Sequence, residues 1–222
     1  MRKYLILFIL FILWNHPKCQ LIESLNLPSS IEFSKIEGDF IKKQFSQDGK
    51  NYECYEFSSA IVDLSYYPLQ SNIDCGYFLL NENKFELRLY LNQIACDLDY
   101  ASFEVFMLEM KTDSFILVNS IGNVSGTATR RVFNNLFKIS GTEIKYFPLT
   151  SLYGSEKNFG DFNKDGQLDY IETFYDKVDP YYKIIFSTLQ NDQFTKDEKK
   201  FIRFKKIINS GTIKTKIIEK KW

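Results

Sequence analysis

Residues 160–175, GDFNKDGQLDYIETFY, place an oxygen-bearing side chain at every second position: Asp161, Asn163, Asp165, Gln167 and Asp169. Counting Asp161 as position one, these stand at one, three, five, seven and nine, with Glu172 at twelve. Short acids and amides alternating in a tight turn converge on one centre. Gly166, at position six, permits the positive φ that bends the chain around that centre, and Gln167 is placed to offer its backbone carbonyl. Every donor is an oxygen, which suits a hard divalent cation taking about six to eight such ligands; the spacing predicts a calcium loop. Leu168, apolar between two donors, is positioned to pin the loop to a core.

The flanks decide what kind of loop this is. The approach, YFPLTSLYGSEKNFG, contains Pro148, Gly154 and Gly160, which oppose an entering helix. The exit, LDYIETFY, is rich in β-branched and aromatic residues, DKVDP then turns the chain, and YYKIIFSTL follows. A strand, a turn and a strand are predicted, so the loop ties the start of a β-hairpin and no paired helices exist to swing open.

The rest of the chain carries the same period of two. In FELRLYL the apolar residues alternate with Glu86 and Arg88, and CGYFLL precedes it across NENK. FEVFMLEM and FILVNSI, joined by KTDS, predict a second hairpin, and FKI and EIKYF, joined by SGT, a third. Ser30 to Phe45 is ambiguous, because Phe33, Ile36 and Phe40 suit a helix that Gly38 interrupts. The expected class is all-β or β-rich: antiparallel hairpins in a sandwich or a propeller-like fragment, with at most one or two short helices. A weak domain boundary is suggested near residues 120–128, SIGNVSGTA.

GDFNKDGQLDYI resembles the calcium loop of the FG-GAP/VCBS repeat, an aspartate-rich DxNxDGxxD turn leading into an apolar strand. KIIFSTLQNDQFTKDE resembles the second half of such a repeat, and the likeness spans roughly residues 158–198. It implies Asp161, Asn163, Asp165 and Asp169 as side-chain ligands and Gln167 as a backbone ligand. Glu172 lies outside the family's core motif. A second DxNxDG is absent, and the chain is too short for the several blades of a closed propeller.

The N-terminus sets the expected compartment. Arg2 and Lys3 precede an apolar run from Tyr4 to Trp14, a secretory layout too short to span a bilayer as a helix. Removal of residues 1–19 leaves a secreted or periplasmic chain, 20–222, without a transmembrane helix. Lipid anchoring through Cys19 is disfavoured by His16, Pro17 and Lys18, where small apolar residues belong. The remaining chain has no histidine, which closes off Ser/His/Asp and Cys/His nucleophiles and imidazole-ligated zinc. Three cysteines remain, Cys54, Cys75 and Cys96, and an oxidising compartment predicts one disulfide among them.

Charge is unevenly spread. The mature chain has 25 basic and 28 acidic residues, a net −3, yet residues 196–222 hold ten Lys or Arg against three Asp or Glu. In KFIRFKKII and TIKTKII apolar residues alternate with these lysines, which predicts a terminal hairpin turning at NSGT with one solvated face. A net negative chain is not expected to take nucleic acid as its main partner. The functional expectation is a non-catalytic binding or structural protein with one calcium-stabilised hairpin. Such a hairpin could present Tyr153, Tyr170, Phe174, Tyr175, Tyr181 and Tyr182 to a protein or glycan partner. The alternative is a glycan hydrolase working through paired carboxylates, with Asp97 and Asp99 or Glu104 and Glu109 as examples.

Overall fold

Segments of alternating hydrophobicity pair as antiparallel strands wherever they are described. The computed structural model describes residues 22, 25–47, 49–67, 77–80, 83–88, 98–122, 132–141, 143–176, 181–209 and 212–221. The expected export segment, Cys75, Cys96 and Asp97 lie outside these residues, as do 123–128 of the suggested boundary. Among the described residues helical geometry is confined to Ile22 and one 3-10 turn, Glu156–Asn158. The protein is all-β, and no helix among the described residues is long and apolar enough to cross a membrane. The chain forms two compact units: Glu32–Leu152, and a second assembled from both ends, Met1–Ile31 with Tyr153–Trp222.

Ten strands build the Glu32–Leu152 unit: β1 (Ser34–Ile36), β2 (Ile41–Gln47), β3 (Lys50–Ser58), β4 (Asp63–Tyr67), β5 (Tyr77–Leu80), β6 (Asn83–Arg88), β7 (Leu98–Glu109), β8 (Ser114–Gly122), β9 (Val132–Ser140) and β10 (Glu143–Ser151). They form two sheets, ordered β1-β7-β8-β9-β10 and β2-β3-β4-β5-β6. One core joins them: Tyr55, Phe57, Leu64 and Tyr66 of the second sheet meet Ile36, Val105, Val118, Phe133 and Phe137 of the first. The two sheets thus share one core, and each such buried side chain contributes about 1.5–3 kcal/mol of transfer free energy. Cys54, on β3, is a buried free thiol whose ionisation burial pushes upward.

The segment around Phe33, Ile36 and Phe40 is not helical. It divides into β1 of one sheet and β2 of the other, with the chain turning between them at Gly38. The three-and-four spacing arises because Phe33 and Ile36 belong to one extended piece and Phe40 leads into another. Phe40 still reaches the core, against Phe57 and Phe103. The predicted hairpins pair as β5–β6, β7–β8 and β9–β10, though β5 and β6 are closer than expected, since Leu80 already faces Asn83.

The β7–β8 turn carries a pH-sensitive fastening. Asp113 accepts hydrogen bonds from Thr112, from the Ser140 hydroxyl and from Lys138, whose Nζ is 3.4 Å away. Burial raises the Asp113 carboxyl, but these donors outweigh it and the net shift is downward. A depressed folded value means stability that is present above about pH 4 and lost as pH falls through the lower value. Asp113→Asn is therefore expected to destabilise measurably at pH 7 and to be close to neutral near pH 2, as read by urea unfolding at both. An equal cost at both pH values would show that the charge is not the source.

The second unit is a single meander, β11 (Phe159–Gly160), β12 (Asp169–Asp176), β13 (Tyr181–Gln190), β14 (Gln193–Asn209) and β15 (Thr212–Lys221), hydrogen-bonded in sequence order. One face of it buries Ile171, Ile184, Phe186, Ile202 and Phe204. That face is closed by Ile22 and Leu25 from the N-terminal segment and by Phe162 from the aspartate-rich loop. The basic terminal hairpin is β14–β15, whose last described pair is Asn209 with Thr212.

Candidate metal loop

The loop is mounted on rigid backbone at both ends. Gly160 pairs with Asp169 across β11–β12, so residues 161–168 form the whole excursion. Gly160 lets the N-terminal segment approach closely: a Cβ there would stand 2.5 Å from Ser29 Oγ. Ahead of β11, the 3-10 turn is closed by a capping box between Ser155 and Asn158. Asn158 is completely buried. Its Oδ1 accepts from Ser155 N–H at 3.0 Å, and its Nδ2 donates to Tyr153 O at 3.2 Å and Ile171 O at 2.8 Å. Leu168 is buried, as its place between donors predicts, and its carbonyl accepts from Leu189 N–H.

Inside the loop the expected ligands organise the backbone. The Asp165 N–H is shared by Asp161 Oδ1 at 3.0 Å and Asn163 Oδ1 at 2.9 Å, so these two oxygens face one point. Asp161 Oδ2 accepts from Gly166 N–H at 3.1 Å and from the Ser30 hydroxyl at 2.9 Å. Gly166 takes φ +81°, the left-handed region in which a side chain is strained. Asp165, exposed, accepts from Gln167 N–H and from the Asn163 amide. Asp169 is buried; its Oδ2 accepts from the N–H groups of Phe162 and Asn163, and its Oδ1 from Thr188 Oγ1 at 2.6 Å. Burial raises the Asp169 carboxyl, and the nearby Asp165 charge adds to this; the three donors oppose it, and the net shift is upward.

The donor chemistry fits a hard cation, since it consists only of carboxylate and amide oxygens on a turn that already faces Asp161 and Asn163 together. The carboxylates spend lone pairs on the loop's own N–H groups, and among the described residues no three Asp, Glu, Cys or His side chains gather as a metal group. The exposed Asp165 carboxylate is the freest to turn inward, because both its partners are exposed loop groups. Glu172 is directed elsewhere: on β12 it forms an ion pair with Lys196 at 2.7 Å. A cleft of about 520 Å³ opens beside the loop, with Asn163, Asp165 and Asp169 on one wall and Lys196 and Lys200 on another.

Ser29, Ser30 and Thr188 escaped sequence reasoning. Ser29 Oγ accepts the Asp161 N–H at 3.0 Å across a separation of 132 residues, which no local pattern reveals. Thr188 follows from register, as the β12–β13 partner of Asp169, once the hairpin turn is known. The aromatic residues considered for display divide. Tyr170 is buried between Phe159 and Phe194, and Tyr182 stacks on Phe204 at 5.5 Å, so both belong to packing. The Tyr153 hydroxyl donates to that of Tyr182 at 3.2 Å, and burial, then this contact, push the Tyr153 phenol well up. Tyr175 is 41% exposed, and Phe174 and Tyr181 are half-buried. Of the carboxylate pairs, Glu104 and Glu109 sit five residues apart on β7, which sends them to opposite faces of the sheet, and Glu104 pairs with Lys35. Comparison with known family models, with curated proteins and with solved structures returned no match.

Proposed function

We propose that this is a secreted or periplasmic, non-catalytic binding or structural protein in which calcium stiffens the β11–β12 loop. The observation that carries the reading is the shared Asp165 N–H, which orients the Asp161 and Asn163 oxygens on one centre with the Asp165 carboxylate beside them. The likeness of residues 158–198 to an FG-GAP/VCBS repeat supports the same ligands, Asp161, Asn163, Asp165 and Asp169 with the Gln167 carbonyl. Strands on both sides of the loop favour a fixed tie over a switch.

Calcium sites of extracellular modules bind with Kd of about 10⁻⁴–10⁻³ M. At about 1 mM calcium, a ligand specific to the folded state then adds roughly 0.4–1.4 kcal/mol, or a few degrees of melting temperature. EDTA is expected to lower the melting temperature by that amount and to leave the far-ultraviolet β signal unchanged at room temperature. Asp165→Ala should abolish the calcium response without unfolding the loop, because Asp165 is exposed and its partners lie within the turn. Glu172→Ala should leave it intact, since that carboxylate is held by Lys196. Isothermal titration of the EDTA-treated wild type with no heat up to several millimolar calcium would defeat the proposal. Equal loss in both variants would make Glu172 a ligand, drawn to the site from its ion pair with Lys196.

A further inference from the structure

We propose that the outer face of the β12–β15 sheet binds a linear acidic polysaccharide. Side chains alternate along each strand, and because Ile184, Ile202 and Phe204 enter the core, Lys183, Phe201, Arg203 and Lys205 project from the opposite face. Register brings Lys183 beside Arg203, Lys221 beside Phe201 and Lys216 beside Lys205, so cations from three adjacent strands form one patch. Two half-buried rings hold most of them. The ammonium groups of Lys183 and Lys221 stand 4.7 Å and 5.2 Å from the Phe201 centroid, and Lys205 and Arg203 stand 4.8 Å and 5.7 Å from that of Tyr181.

Ring contacts limit the freedom of these long side chains without neutralising them. Glu219 pairs with Arg203 and Lys221, at 3.4 Å and 3.5 Å. Among the described residues Lys183, Lys205 and Lys216 have no carboxylate partner. The patch is thus a pre-organised cationic surface on a chain whose remainder is acidic.

Its shape selects among polyanions. Single-stranded nucleic acid stacks bases on free aromatic faces, whereas Phe201 and Tyr181 are already overlaid by cations. Reading duplex grooves requires a helix or ribbon that enters them, and this face is a broad sheet. Membrane binding by such a patch needs apolar side chains that insert beside the charges. Of the exposed apolar side chains described on this sheet, Tyr175 and Ile217 lie in register with Tyr182 and Phe204 of the core face, which leaves Ile218 alone, at the β15 bulge, beside these cations. A polysaccharide bearing carboxylate or sulfate groups needs only an extended row of positive charge.

The proposal deepens the binding-module reading and rests on it, but it does not require calcium. The test titrates the full chain, with and without EDTA, against heparin, polygalacturonate, neutral dextran, a single-stranded oligonucleotide and phosphatidylserine vesicles. Binding to at least one of the two acidic polysaccharides is expected, weakening about tenfold or more between about 50 and 200 mM salt. The double variant Lys183→Gln/Lys205→Gln should lose about tenfold in affinity, and Tyr181→Leu, which keeps every charge, severalfold. Lys42→Gln/Lys43→Gln, an equal charge change on β2, should lose little. Absence of binding to both acidic polysaccharides at low salt overturns the proposal. So does tighter binding to DNA or vesicles, or an equal loss from the β2 variant. New reducing ends in the bound polysaccharide would retain the face but overturn the non-catalytic reading, and calcium heat without polysaccharide binding would overturn the face alone.

Discussion

Asn158→Ala is expected to lower the unfolding free energy by about 3 kcal/mol or more, a large cost for a polar substitution in a strand-rich protein. The side chain is completely buried and satisfies three main-chain groups, the N–H of Ser155 and the carbonyls of Tyr153 and Ile171. Alanine removes the Asn158 bond from all three, and a buried polar group left orphaned costs about 1–3 kcal/mol. Urea unfolding measures the loss. Asn158→Asp should be nearly as costly, because it preserves shape but turns an acceptor toward two carbonyls. If Asn158→Asp instead matches wild type, shape and not hydrogen bonding governs the site. Lys157→Ala, at an exposed neighbour, is expected to stay within about 0.5 kcal/mol.

Phe204→Ala is expected to cost about 3–5 kcal/mol by opening a cavity at the centre of the meander. Phe204 has no exposed surface, stacks on Tyr182 at an interplanar angle of 22°, and shares its cluster with Ile184, Ile202 and Ile22. The loss should appear in chemical unfolding and as faster amide exchange along β13 and β14. A cost under about 1 kcal/mol would mean that the site collapses around the smaller side chain and that the core is not the source of the meander's order.

What could be read from the sequence was local. The aspartate-rich turn is legible because its oxygen-bearing side chains, Gly166 and the buried Leu168 lie within a dozen residues and bond mostly to one another. The hairpins are legible where polar and apolar residues alternate. Of β9, only the FKI segment is legible, because Asn134 and Asn135 in VFNNLFKIS look like turn residues. In the sheet both are buried mid-strand: Asn134 accepts from the Asn119 amide at 2.7 Å, and Asn135 bonds to Val118 O and to the Tyr146 hydroxyl. Their partners sit on neighbouring strands, so local propensity could not foresee that a polar pair would be satisfied there. The same holds for Ser29 and Ser30, whose role depends on a strand more than a hundred residues away.

The core face of the meander is covered by residues from far earlier in the chain, and this gives its assembly an order in time. Ile22 and Leu25 emerge from the ribosome early, but the sheet they cover starts only at Phe159 and is complete only at Lys221. Residues 32–152 are contiguous, so every strand of that unit is available before the meander has been made. Closing so long a loop adds little to the equilibrium cost, about 0.6 kcal/mol for each doubling of length, but it slows the search for the partner. The serine clasp on Asp161, formed by Ser29 and Ser30, is therefore a late event: a segment synthesised before either sheet of residues 32–152 is among the last to find its place.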